Sequence, residues 1–173
     1  MATGGITRLC EQIAEVASVN CGFMYDNWEA GITSPIERLF MAGVSSILDM
    51  ETSRYFHFRS LYLWDGRKAR TPELDKNLEA YGSVLLEYQK TELDWRADFV
   101  LSVPTYGTKK VIIECDGHAF HAATKEQAAK DRSRDRAAQA AGYTILRFTG
   151  SELYRDPLKC VCEALDALPQ FEA

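Results

Sequence analysis

Two apolar, β-rich runs between Trp95 and His121 flank a short break that holds Pro104 and Gly107. That is the pattern of a β-hairpin. With the hairpin centred on Tyr106, Phe99 faces Ile113 and Asp98 faces Glu114. Side chains alternate along a strand, so Asp116 shares the face of Asp98 and Glu114. The opposite face collects Ala97, Phe99 and Leu101 against Val111, Ile113 and Cys115, a buried surface. One face of the hairpin is apolar and the other carries three carboxylates.

The remaining pattern supplies the partners of this hairpin. Ile6 to Val19 repeats its apolar residues on one helical stripe. Ser34-Pro35-Ile36-Glu37 is a helix start, with Ser at the N-cap, Pro in the first turn and Glu completing a capping box. Ile36, Leu39, Phe40, Val44, Ile47 and Leu48 form the buried stripe of that helix. Within residues 51–80, Tyr55, Phe56, Phe58, Tyr62 and Trp64 are interleaved with basic residues, and Asp65-Gly66 then marks a turn. This stretch fits a nucleic-acid-stacking surface or a hairpin with one apolar face. Val84 to Lys90 reads as a strand, Ala122 to Ala141 as a helix closed by Gly142, and Tyr143 to Phe148 as a strand. A last helix starts at Gly150 and runs to Leu168, with a break possible at Pro157. Strand, helix and strand from 111 to 148 form a βαβ unit with parallel strands. The expected fold is α/β: a three-strand meander plus a parallel strand after a crossover helix, in one mixed sheet with helices on both faces.

Composition narrows the class. The chain has 173 residues, 46% of them apolar, enough for a single domain with a full core. No apolar run has the length of a membrane span, and the N-terminus lacks the pattern of a signal peptide, which points to a cytoplasmic protein without membrane contact. Five cysteines with no metal-binding spacing read as reduced thiols. The net charge is −5, yet the cations are clustered. Residues 54–70 hold five bases against one acid, and residues 125–136 five against three. A locally basic surface on an acidic body is compatible with phosphate binding. Arg67, Lys68 and Arg70 in the first cluster and Lys130 and Arg132 in the second are the candidate nucleic-acid contacts. On the helix, Asp131 and Asp135 are equally placed to pair with Arg132 and Arg136 as a solvated face.

The three carboxylates carry the chemistry. Opposed strand residues have Cβ atoms about 5 Å apart, and like charges there repel. A shared proton, a basic neighbour or a divalent cation must offset this. Mg²⁺, with Mn²⁺ as substitute, takes carboxylate oxygens and suits phosphate-ester hydrolysis. His118 and His121 follow closely, and either can transfer protons near neutrality.

The order of Glu37, Asp98, Glu114-Cys115-Asp116, crossover helix and strand resembles the PD-(D/E)XK, or restriction-endonuclease-like, nuclease superfamily. Glu-Cys-Asp-Gly-His-Ala-Phe-His (114–121), Lys-Asp-Arg-Ser-Arg-Asp-Arg (130–136) and Gly-Tyr-Thr-Ile-Leu-Arg-Phe-Thr-Gly-Ser-Glu (142–152) more closely resemble bacterial proteins akin to the very-short-patch repair endonuclease. The resemblance covers roughly residues 33–158. It implies a single endonuclease-like domain over 1–173, with residues 1–5 flexible and 51–80 a family-variable insertion. It further implies a divalent-metal-dependent endonuclease hydrolysing phosphodiester bonds in DNA, with Asp98, Glu114 and Glu37 as metal ligands. Asp116 stands where the superfamily has lysine, so another group must act on water. His121 is the first substitute, then His118, or a lysine moved to the helix (Lys125 or Lys130). The alternative is a nucleic-acid-binding module or subunit with a decayed site. A homodimer or a partner that brings specificity is compatible with either reading.

Overall fold

The computed structural model describes residues 32, 34–49, 55, 58, 60–117 and 125–169. Helix α1 (Pro35–Asp49) is followed by strand β1 (Ser60–Asp65), helix α2 (Pro72–Leu78), the long strand β2 (Ser83–Glu92) and β3 (Trp95–Ser102). A short turn of 3₁₀ helix at Pro104–Tyr106 leads to β4 (Lys110–Asp116). Helix α3 (Lys125–Ala140), strand β5 (Thr144–Thr149) and helices α4 (Gly150–Arg155) and α5 (Pro157–Asp166) complete the order. The five strands form one sheet in sequence order. β2, β3 and β4 are antiparallel, and β1 and β5 join the edges as parallel neighbours. The meander, the crossover helix and the parallel fifth strand are the expected α/β arrangement. The helix expected over 6–19 lies outside the described residues.

The principal core lies under α1, α4 and α5. Ile36, Phe40, Met41, Val44 and Ile47 of α1 meet Val84, Leu86, Phe99, Leu101, Val111, Ile113 and Phe148 of the sheet. Phe40 sits between Phe99 (ring centroids 5.3 Å) and Phe148 (6.0 Å). α1 and α5 approach closely at Gly43, where a Cβ would stand 2.9 Å from Val161 Cγ2. On the opposite face, α3 covers Val100 and Ile112 with Ala138, and α2 covers Leu85 with Leu74 and Leu78. Helices therefore flank both faces. Among the described residues, no helix is long and apolar enough to cross a membrane.

Two expectations require correction. Residues 60–78 are not a hairpin: β1 runs parallel to β2, from Ser60↔Ser83 to Asp65↔Tyr88, with α2 as the connection. An aromatic run with interspersed cations fits an edge strand equally well, and only the distant partner decides. The break that the sequence allows at Pro157 is present, and the last helical stretch is two helices. Asp156 ends α4 and caps α5 by accepting from the Lys159 N–H at 3.0 Å, with Pro157 in the first turn. α4 itself begins with a capping box in which Thr149 and Glu152 bond reciprocally, a Thr-x-x-Glu signal visible in the sequence.

The second correction concerns strand alternation. Ala97 packs with Trp95, Val100 and Ile112, while Phe99 and Leu101 lie in the principal core. Residues three apart thus share a side, and β3 reverses its faces at Asp98. β2 does the same opposite it: Glu87 and Lys90 are ion-paired at 2.9 Å, and Gln89 between them has φ +52°. The tip of the β2–β3 hairpin is folded over at this crease. Glu92 bonds Lys110 Nζ at 2.9 Å and the Tyr143 hydroxyl at 2.8 Å, at the far ends of β4 and β5. In a flat sheet Glu92 and Lys110 would be separated by seven residues along the strand direction, about 23 Å, beyond the reach of the two side chains. The tip therefore lies back across the α3 side of the sheet, with Trp95 as its apolar anchor.

Candidate active site

The crease is where the acidic residues gather. β3 and β4 pair in the expected register, Phe99↔Ile113 to Ser102↔Lys110. The ladder stops one step short of Asp98 and Glu114. In its place the Cys115 N–H donates to Asp98 Oδ2 at 2.7 Å. The side chain of Asp98 thus takes over the ladder's task as β3 turns away. Glu114 points to the α3 side, where Oε1 accepts from the Trp95 indole at 3.1 Å. Asp116, two residues on, lies on the same side, 3.5 Å from Arg147 Nη1. Asp98 does not simply share their face; it occupies the reversal between the two sides.

Glu37 approaches from α1, on the other side of the sheet. Its Oε2 accepts from the Gln89 side-chain amide at 2.9 Å, and the Ser34 side chain also hydrogen-bonds it. The helix start that the capping-box pattern marks therefore delivers an acid to the crease. Gln89 is 8% exposed, and its left-handed backbone is what turns the amide toward Glu37. No glycine marks this position, so residue type alone does not reveal it. Arg147 was also missed. Its alternation in Thr-Ile-Leu-Arg-Phe puts it beside Glu114, its Cα partner across β4 and β5, and that register was the available signal.

Electrostatically, Asp98 is the common neighbour. Burial, and then the adjacent Asp98 charge, push Glu37 up to about 7 and Glu114 up to about 7. Burial raises Asp98 as well, against the opposing bond from Cys115 N–H. Asp116 is raised by burial, with Arg147 acting the other way. Burial followed by the Asp98 charge keeps the Cys115 thiol protonated, so it is no nucleophile.

Among the described residues, no three His, Cys, Asp or Glu side chains stand close enough to hold a metal ion. The donor chemistry nevertheless fits a hard cation. Asp98, Glu114 and Glu37 each give one oxygen to a fixed donor (Cys115 N–H, the Trp95 indole, the Gln89 amide). This orients each carboxylate, and Asp98 Oδ1 and Glu114 Oε2 are left for a ligand. Raised carboxylates beside one another are the condition that a divalent ion relieves. His118 and His121 lie outside the described residues.

The two basic clusters differ. Arg67 is forked onto Asp65 (Nε–Oδ1 2.7 Å, Nη2–Oδ2 2.8 Å), Lys68 Nζ stands 3.6 Å from the same carboxylate, and Arg70 pairs with Asp75 at 3.2 Å. Two carboxylates thus partly offset three cations of that first cluster; Arg54 and Arg59 lie outside the described residues. On α3, Asp131 pairs with Arg134 and Asp135 with Arg147, not with Arg132 and Arg136 as the sequence allowed. Lys125, Lys130, Arg132 and Arg136 are exposed, and Lys125, Arg132 and Arg136 share one helical face by their spacing.

The profile of a restriction-endonuclease-type family, REase_MTES_1575, matches residues 74–168, more than half of the chain. The chain belongs to this family. No curated protein and no solved structure matches it significantly. The matched span of this restriction-endonuclease-like chain contains the crease, Asp98, Glu114, Asp116 and Arg147; Glu37 on α1 precedes it.

Proposed function

We propose that this protein is a divalent-metal-dependent endonuclease that hydrolyses phosphodiester bonds in DNA. The observation that carries the reading is that Glu37 of α1 and Glu114 of β4 both lie in the field of the Asp98 carboxylate of β3, in a chain of restriction-endonuclease type. Asp98, Glu114 and Glu37 would hold Mg²⁺, with Mn²⁺ able to substitute. When bound, such an ion supplies Lewis-acid stabilisation of charge on the phosphate. The chain's own groups do the rest. Gln89, Trp95 and the Cys115 N–H orient the three carboxylates. Asp135 of α3 holds Arg147 beside Asp116 at the rim, and His121, close after β4, takes the proton of the attacking water in place of the superfamily's lysine. The segments 114–121 and 142–152 support a finer kinship with very-short-patch-like repair endonucleases. DNA is met by the face of α3 that carries Lys125, Arg132 and Arg136, with Lys130 off to its side, more than by the paired Arg67, Lys68 and Arg70.

Asp116 at the lysine position favours a second reading, a nucleic-acid-binding module or subunit on the same fold. Nicking of supercoiled plasmid with Mg²⁺ or Mn²⁺ separates the two. Conversion to open-circular DNA that EDTA abolishes is expected for the endonuclease. Retarded but uncut DNA in both ions would support the binding module.

A further inference from the structure

Arg147 is held in a way that a simple counter-ion is not. Its guanidinium is forked by Asp135 of α3, Nε to Oδ2 at 3.3 Å and Nη2 to Oδ1 at 2.9 Å. Asp135 lies outside the carboxylate set at the crease. The remaining nitrogen, Nη1, faces that set, and its contact there is Asp116 Oδ1 at 3.5 Å, the outer limit of a hydrogen bond. Arg147 is thus aimed by one acid and only loosely engaged by the others. Its side chain is 24% exposed, so an incoming group can reach it. Its neighbour across the ladder is Glu114, which places Nη1 at the edge of the reacting region. An anionic phosphodiester approaching these carboxylates is repelled unless a cation accompanies them. Guanidinium is the group whose planar donors match phosphate oxygens.

We propose that Arg147 is the phosphate-binding cation of this site, its Nη1 donating to a non-bridging oxygen of the scissile phosphate, with Asp135 as the positioning residue that aims it. The assignment rests on the endonuclease reading, and it gives the charge that lysine supplies elsewhere to a residue on β5.

The test compares wild type with Arg147→Gln, Arg147→Lys and Asp135→Asn. Each is assayed by melting, by Mn²⁺ calorimetry, by anisotropy of a labelled duplex in Ca²⁺ over a range of KCl, and by plasmid cleavage in Mg²⁺. Arg147→Gln is expected to melt and to bind Mn²⁺ as wild type does. Its slope of log affinity against log salt should fall by about one, and its cleavage by about 100-fold or more. Arg147→Lys should restore the salt slope but only part of the rate, because an ammonium cannot be forked. Asp135→Asn should keep the slope and lose rate. Wild-type slope and rate in Arg147→Gln would overturn the assignment. So would a parallel loss of melting temperature and Mn²⁺ affinity in both Arg147 variants, which marks a structural counter-ion. If wild type binds DNA without cutting it and the slope still falls in Arg147→Gln, the phosphate contact stands and the endonuclease reading fails. If wild type neither binds nor cuts, both fail.

Discussion

From Phe99 to Ser102, β3 runs in unbroken register between β2 and β4 with every residue buried. From Trp95 to Asp98 the same strand leaves β4, reverses its faces and folds back across the sheet. The first half packs phenylalanine and leucine; the second delivers charge. Adjacent rows of one hairpin thus do opposite work, and the boundary between them is a single peptide step. Stability can be concentrated in Phe99 and Ile113 because Asp98 and Glu114 need only be held, not packed. Conversely, the acids can sit half-buried beside one another because the rows below them are rigid.

The contrast is largest when the two rows are mutated side by side. Phe99→Ala is expected to cost about 3–5 kcal/mol, measured by urea unfolding, because its ring fills the core against Phe40. Asp98→Asn keeps an acceptor for the Cys115 N–H and removes the charge. It should melt at or above the wild-type temperature without metal while cleavage is abolished. A large loss of stability in Asp98→Asn would erase the distinction between the halves.

A second comparison uses pH. Glu37 and Glu114 hold their protons up to about 7 in the folded state but release them near the ordinary glutamate value when unfolded. Between those values the native state binds more protons than the unfolded state, so stability falls as pH rises. Metal-free protein should therefore lose stability through pH 4.5 to about 7, and the double variant Glu37→Gln, Glu114→Gln should flatten that slope. Phe99→Leu should shift the curve down and leave its shape intact. Urea midpoints across this range decide the matter, and a wild-type curve that rises through it would contradict the burial of these acids.

The helix acid separates cap from site. Glu37→Gln retains a hydrogen-bonding side chain at the helix start and should fold normally but cut poorly. Ser34→Ala should cost about 1 kcal/mol and remain active. Equal activity in both variants would remove Glu37 from the ligand set.

Much of this was legible beforehand. The register of β3 with β4 follows from alternation and a Pro/Gly break, and the Ser-Pro-Ile-Glu start of α1 follows from cap chemistry. The crease was not legible, because periodicity reports only which neighbours share a side. Gln89 carries a left-handed backbone without being glycine, so nothing in the residue type marks the reversal. The acids of α3 looked like partners for Arg132 and Arg136. That Asp135 instead reaches Arg147 depends on how the helix is docked on β5.

The smallest effects concern the two basic clusters. Replacing Lys125, Arg132 and Arg136 together by Ala should reduce the salt slope of duplex binding by about two to three. The same treatment of Arg67, Lys68 and Arg70 should change it less, since Asp65 and Asp75 already pair with them. The reverse order would place DNA over the β1 turn instead of over α3.

The most direct test of the metal site at the crease is calorimetric Mn²⁺ titration near pH 7 in two buffers of different ionisation enthalpy. Carboxylates that hold protons near 7 must release them to bind a cation. Wild type should therefore bind Mn²⁺ with a heat that depends on the buffer, and Asp98→Asn should show neither the binding nor the proton release. Undiminished Mn²⁺ binding in Asp98→Asn, or no binding in wild type, would contradict a metal centre built around Asp98.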